Sequence, residues 1–416
     1  MSADAIEPEA PEVPPRELHP LDAPRDGVPP VLTTPAELAR AADALRAGTG
    51  PVAVDAERAS GHRYGQRAFL VQLRREGAGT VLLDPAALPD LSAVGEALDG
   101  VEWVLHAASQ DLPCLADVGM HPTALFDTEL GSRLAGLERV GLAAVVEELL
   151  GLSLAKEHSA VDWSVRPLPE PWLRYAALDV EVLVDLRDVL ARELERQGKL
   201  DWALQEFAAL VTAAPAAPRA DPWRRTSGMH RVRTRRQLAI VRELWLARDA
   251  LAREQDVSPG RIVPDASLVE VALAQPATRR ALTGMTTFTG RGSRRHADVW
   301  FAAVQRALDL PDADLPPQHL PTEGPPPPRV WADRDPAAAA RLARAREAVA
   351  ALAAEHTLPV ENLVPPDAVR RLCWTPPEPA DESAVRGFLT ARGARPWQVD
   401  LTAAVLAAAV ADPAED

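Results

Sequence analysis

The stretch VAVDAE, residues 52–57, is apolar on both faces up to Asp55, the pattern of a strand buried in the middle of a sheet. It places Asp55 and Glu57 two residues apart. On a strand such residues share a face, so the two carboxylates can converge on one ion. The same Asp-x-Glu triplet recurs at Asp127/Glu129 and Asp179/Glu181, where the expected helices turn the two side chains apart. Two acids at a solvent-facing strand end would be the plainer arrangement, but acids in a buried strand need a partner.

Short runs rich in Val and Leu, bounded by Gly, Asp and Pro, predict further strands at 68–74, 80–83 and 101–106. Ahead of them, Thr34 before Pro35 is a helix start, with Leu38, Ala41 and Leu45 at helical spacing until Gly48. Helices are expected over 109–118, 128–134, 142–150 and, as one long element, 170–197. Strands first and mixed α and β afterwards make an α/β domain with a mixed sheet flanked by helices, spanning residues 31–212.

The chain has 416 residues, enough for two or three domains. Residues 1–30 hold eight prolines and seven acids and are expected to be a disordered acidic tail. Residues 213–230 and the proline-rich 310–328 read as linkers. They separate two small all-α segments, 231–309 and 329–412, which resemble each other: Arg261-Ile262-Val263-Pro264 is matched 101 residues later by Asn362-Leu363-Val364-Pro365. A duplicated domain follows.

Net charge is −15, but it is unevenly spread. Residues 31–212 carry 16 basic and 28 acidic side chains, whereas 231–309 carry 14 basic and eight acidic ones. The middle segment is therefore the part suited to a polyanion, and the C-terminal part, residues 329–416 at net −3, is not. Two cysteines, Cys114 and Cys373, cannot build a disulfide framework, and the nine histidines show no zinc-ligand spacing with them. With no long apolar run, a reduced, cytoplasmic protein without membrane contact is expected.

Two more acids fall where they can join the first pair. Asp111 follows the apolar strand WVLHAAS near a helix start, where an N-cap role would also account for it. Asp179 lies one helical repeat beyond Tyr175, so phenol and carboxylate share a face. Four acids brought together would form an oxygen-only site suited to Mg²⁺ or Mn²⁺.

These residues carry a resemblance. Asp55-x-Glu57, Asp111 in HAASQDLPCL and Tyr175-x-x-x-Asp179 match the three motifs of the ribonuclease D branch of the DEDD exonucleases, tyrosine type. DWSVRPLP, residues 162–169, resembles the stretch that precedes the third motif. Residues 231–309 resemble the helicase-and-RNase-D C-terminal (HRDC) domain, and 329–412 match it more loosely. The resemblance implies an RNase H-like nuclease domain that hydrolyses RNA from its 3′ end with two divalent ions. It also implies roles: Asp55 bridging both ions, Glu57 and Asp179 completing the first, Asp111 holding the second through water, and Tyr175 orienting the attacking water.

The implied partner is RNA with a free 3′ end, tRNA precursors among others, and no obligate protein partner is evident. Arg291, Arg294 and Arg295, in TGRGSRR, combine a glycine-permitted backbone with guanidinium forks and are candidate phosphate contacts, or else a solvated face. Lys156 and Arg166 suit surface ion pairs more than phosphate, His106 suits a strand end, and Trp300 and Phe301 suit a core. A DNA 3′-5′ exonuclease stays open, because nothing in the sequence identifies a 2′-OH contact. A nucleic-acid-binding protein with a dead nuclease domain is the other alternative; losing one of the four acids would favour it, and none is lost.

Overall fold

The computed structural model describes residues 18–154, 161–214, 217, 219–288, 290–320 and 324–411. It opens with two short strands, β1 (His19–Leu21) and β2 (Val31–Leu32), and then α1 (Pro35–Ala47). Thr34 caps α1 in a full capping box with Glu37, and Leu38, Ala41, Ala42 and Leu45 form its buried face. Next come β3 (Thr49–Arg58), β4 (Ala68–Glu76), β5 (Gly79–Leu83), α2 (Ser92–Ala97) and β6 (Glu102–Leu105). A 3₁₀ turn at Ala108–Gln110 leads into α3 (Leu112–Ala116), followed by β7 (Ala124–Asp127), α4 (Thr128–Ala135), α5 (Leu142–Leu150) and β8 (Leu152–Leu154). The nuclease-like domain ends with α6 (Glu170–Glu181), α7 (Leu183–Arg196) and α8 (Leu200–Thr212).

Six strands form a mixed sheet in the order β2-β5-β4-β3-β6-β7. β3 runs antiparallel to β4, with Asp55 opposite Gln72 and Glu57 opposite Leu70. Its parallel pairing with β6 covers only Val52 and Ala53. Beyond that register β3 is paired, among the described residues, with β4 alone, and there its two acids lie. Val52, Ala53 and Val54 are fully buried, as expected of a central strand.

The structure corrects three expectations. Residues 18–30 are no tail: β1 pairs with β8, and Arg25 and Asp26 form ion pairs with Glu181, Asp185 and Arg74. Residues 1–17 lie outside the described residues. The long helix over 170–197 is two helices meeting at Val182 (φ −98°, ψ −12°), because α6 packs on the sheet while α7 buries Leu186, Leu190 and Leu194 against α4 and α5. The two linkers are largely docked: Trp223 is buried with the first helical unit, and Arg235 and Arg236 bond carbonyls of residues 307–316.

That unit contains α9 (Arg235–Gln255), α10 (Pro259–Ile262), α11 (Asp265–Ala274), α12 (Arg279–Thr283), α13 (Arg291–Arg295) and α14 (Ala297–Asp309). The last unit contains α15 (Trp331–Arg334), α16 (Pro336–Glu355), α17 (Val360–Leu363), α18 (Pro366–Trp374), α19 (Glu382–Thr390) and α20 (Pro396–Val410). The 101-residue offset reappears in their geometry. Thr234 and Asp335 cap the long helices, α10 and α17 coincide, and Val263 and Val364 are both extended at φ −152° and −156°.

The helical units dock at different places. The first meets the β3–β4 loop, where Arg67 forks onto Asp256 (3.0 and 2.6 Å), Tyr64 donates to Asp249 (3.0 Å) and Arg261 donates to the Gly61 carbonyl (2.8 Å). The last stacks Trp397 on Trp202 of α8, ring centroids 5.0 Å apart, and the Trp397 indole donates to Glu206.

Phe207 of α8 is 1% exposed and lies 4.7 Å, centroid to centroid, from Phe126 of β7. Truncation of Phe207 to alanine is expected to cost about 3–5 kcal/mol through lost burial and the cavity left behind. Denaturant unfolding of the full chain measures this; a loss below about 1 kcal/mol would contradict the packing described.

Candidate metal centre

Asp55 and Glu57 point from the half of β3 that pairs with β4 alone toward α6, which presents Asp179. One carboxylate oxygen from each of the three lies within 4.8 Å of the others. Tyr175, one turn earlier on α6, is hydrogen-bonded to Asp179 through its hydroxyl. Across the cleft stands Asp111, 5% exposed. These residues line one cleft of about 230 Å³, together with Arg58, His106, Gln110 and Leu142. All five residues singled out by motif are thereby brought together.

Asp111 occupies the N-cap position of α3, yet its side chain makes no capping bond. The capping explanation fails, and the carboxylate faces the cleft. Its approach path is held by Asp127, whose two oxygens accept the backbone N–H groups of Ala107 (3.0 Å), Ala108 (2.9 Å), Glu129 (2.9 Å) and Leu130 (3.1 Å). Ala107 is left-handed at φ 61°, a conformation costing a non-glycine residue about 1 kcal/mol. The Asp127 bonds offset that cost and fix the turn that delivers Asp111. The Asp127/Glu129 triplet is thus a helix cap. In the third triplet Glu181 turns away from Asp179 and pairs with Arg25 and Arg74, both at 3.3 Å.

Burial dominates the electrostatics. It pushes Asp55, Glu57 and Asp179 above the ordinary carboxylate range, and the neighbouring carboxylates push Glu57 and Asp179 further. Burial and the Asp55 charge raise Asp111 to about 8. Tyr175 is raised too, first by burial and then by Asp179 and Glu57, so its phenol keeps its proton. His106 is pushed down to about 4 by burial and is neutral; its Nδ1 meets Thr128 Oγ1 at 2.9 Å. Four acids crowded in one cleft, with oxygen donors only, fit a hard divalent cation.

Two polar neighbours escaped the sequence analysis. Gln72, fully buried, donates to Asp55 (3.3 Å), and only the β3–β4 register reveals it. Arg58 lies 3.4 Å from Asp111, and its adjacency to Glu57 was the available signal. Arg166 forks onto Asp84 (2.6 Å to each oxygen) and is an ion-pair residue, though its partner is buried where a surface pair was expected. Lys156 lies outside the described residues. Trp300 is core, its indole donating to the Ser293 carbonyl. Arg294 and Arg295 are exposed on the short helix α13 and do not line the carboxylate cleft; the side chain of Arg291 lies outside the described residues. α13 packs near α10, whose Arg261 reaches the β3–β4 loop.

Among known proteins, the 3′-5′ exonuclease family model matches residues 29–195, the HRDC domain matches 237–304, and the 3′ to 5′ exonuclease C-terminal domain matches 324–410. Ribonuclease D of Gluconacetobacter diazotrophicus is 35% identical over 307 residues, covering 72% of this chain and 77% of that protein. Ribonuclease D of Escherichia coli is 33% identical over 292 residues, covering 69% and 76%. Among solved structures, a protein from Bifidobacterium adolescentis has a TM-score of 0.86 at 41% identity, covering 95% of this chain and all of that one. The E. coli RNase D structure, described as an exoribonuclease involved in structured RNA processing, has a TM-score of 0.65 at 29% identity, covering 89% and 98%.

A carboxyl whose folded-state pKa is raised stabilises the fold while protonated and loses that contribution as pH rises through the folded value. The metal-free protein should therefore weaken between about pH 4 and pH 8, the window set by Asp111. Ligation requires deprotonated carboxylates, so ion binding releases protons. The rise in melting temperature caused by Mn²⁺ is expected to grow from pH 6 to pH 8.5; a rise independent of pH would contradict the shifted carboxyls.

Proposed function

This chain belongs to the ribonuclease D family and is a 3′-5′ exoribonuclease; from that premise we propose that Asp55, Glu57, Asp111 and Asp179 hold two divalent cations, Mg²⁺ or Mn²⁺, in its active site. The convergence of three carboxylate oxygens within 4.8 Å, with Asp111 across the same cleft, carries this reading. When bound, such ions stabilise the attacking and leaving oxygens of the phosphodiester and favour hydroxide over water.

The chain's own groups do the rest. Asp55, central among the acids and braced by Gln72, is assigned to both ions, Glu57 and Asp179 to the first, and Asp111 to the second. Tyr175, neutral and hydrogen-bonded to Asp179, is suited to orienting the attacking water and unsuited to acting as a base. Neutral His106 lines the wall without adding charge. Water adds to phosphorus, the 3′ oxygen of the penultimate nucleotide leaves with a proton, and a 5′-mononucleotide is released.

The proposed substrate is RNA with a free 3′ end, with structured precursors such as tRNA as the natural class. The description of the E. coli relative and the basic first helical unit support it. α13, with Arg294 and Arg295, lies one element away from the loop that borders the active site, a placement suited to backbone phosphates upstream of the 3′ end. Matched RNA and DNA strands separate the RNA preference from general exonuclease activity.

Asp55→Asn is expected to leave the fold intact, because it relieves crowded like charge, while lowering kcat about a thousandfold or more. Activity within about tenfold of wild type on a folded sample would contradict the assignment. Tyr175→Phe is expected to lower kcat about a hundredfold, the scale of losing one positioned hydroxyl. Calorimetry should find its Mn²⁺ affinity unchanged; loss of the ions would give the hydroxyl a different role.

A further inference from the structure

The cleft that holds the carboxylates adjoins a second one of about 410 Å³, lined by Ser60, Gly61, His62 and Gln66. Arg58, with Ala56, Glu57 and Gln110, belongs to both walls. It is the single Arg or Lys among the described residues lining either. Its Nη1 donates to the Gln110 carbonyl (2.8 Å), its Nη2 lies 3.4 Å from Asp111 Oδ1, and its side chain is 25% exposed. The guanidinium is thus tethered at one nitrogen, beside a proposed metal ligand, at the passage between the clefts.

Without cations Arg58 is the positive charge nearest the four acids, and the ion pair with Asp111 is its resting partner. Cations would take over the compensation of Asp111 and relieve Arg58 of that duty. The arriving substrate brings a new anion to the same place, and a guanidinium presents several fixed N–H donors that match phosphate oxygens. The Gln110 carbonyl keeps hold of Nη1 and leaves Nη2, beside Asp111, as the donor a phosphate oxygen can take over.

We propose that Arg58 is a further catalytic residue, which exchanges Asp111 for a non-bridging oxygen of the scissile phosphodiester when substrate binds. This rests on the exoribonuclease reading above. It makes the residue after the Asp-x-Glu pair the fixed, metal-independent part of the phosphate site. The competing role is structural: Arg58 would merely pin the Gln110–Asp111 turn and never touch substrate.

Full-length wild type, Arg58→Gln and Arg58→Lys separate these roles. Binding of a fluorescent single-stranded oligoribonucleotide is read by anisotropy across a salt series at constant Ca²⁺, which replaces Mg²⁺ to suppress turnover. Mn²⁺ affinity is read by calorimetry, and kcat/KM with Mg²⁺ on a dinucleotide, whose one phosphodiester is the scissile one. Arg58→Gln is expected to lower kcat/KM about a hundredfold, the scale of one lost donor to developing charge. It should also make the salt slope shallower by about 0.7, one phosphate contact on a single strand, with Mn²⁺ affinity within threefold of wild type. Arg58→Lys should restore the slope. An unchanged slope and kcat/KM overturns the proposal, and so does an unchanged slope with Mn²⁺ affinity down tenfold, which makes Arg58 a positioning residue for Asp111. If wild type itself fails to shorten RNA from the 3′ end, the underlying functional reading fails instead.

Discussion

Four carboxylates share one cleft of about 230 Å³, and mutual repulsion is the constraint the surrounding structure serves. Each held ionised in a half-buried setting disfavours the others, so the arrangement persists through protons or through cations. The backbone accepts it because β3 is paired on the β6 side only at Val52 and Ala53, which leaves its outer half to aim side chains at α6 across the cleft. β4 supplies Gln72 as a brace on one side, and α6 supplies Asp179 and Tyr175 from above. The Asp127 clamp then delivers Asp111 from a left-handed turn at Ala107. Removing any of these elements would leave acids without a common focus.

The same strand links the site to the helical units. β3 ends at Arg58, and the following loop, through Tyr64, Arg67 and the carbonyl of Gly61, is the docking surface for α9 and α10. The wall of the second cleft and the seat of the first helical unit are thus one piece of chain. The last unit attaches on the far side of the domain order, through Trp397 on Trp202 of α8, and its core is continuous with that of the nuclease domain. Two units with the same 101-residue pattern therefore hold different parts of the nuclease. The net charges follow: the basic copy meets the loop beside the cleft, and the acidic copy meets α8.

Much of the site was legible because its geometry is local. The Asp-x-Glu pair needs only strand periodicity, and Tyr175 with Asp179 needs only helix periodicity. Asp111 was ambiguous, since an N-cap and a metal ligand look alike in sequence, and the missing capping bond removes the N-cap reading. Gln72 was hidden because its role depends on cross-strand register. The four-residue β7 and the two- and three-residue β1, β2 and β8 were missed because such runs are too short to show alternation. Proline content misled at both linkers and at residues 18–30: Trp223, Leu315 and Arg25 tie these segments down, and such long-range anchors leave no periodic trace.

The central claim is that the crowded acids exist to hold cations, two per chain, where β3 outruns its pairing with β6. Diffraction from crystals soaked in Mn²⁺ at pH 8, with anomalous signal collected at the manganese edge, tests it most directly. The account predicts two peaks in the cleft, one shared by Asp55, Glu57 and Asp179 and the other between Asp55 and Asp111. Strong manganese peaks elsewhere on the protein with none in this cleft would contradict it.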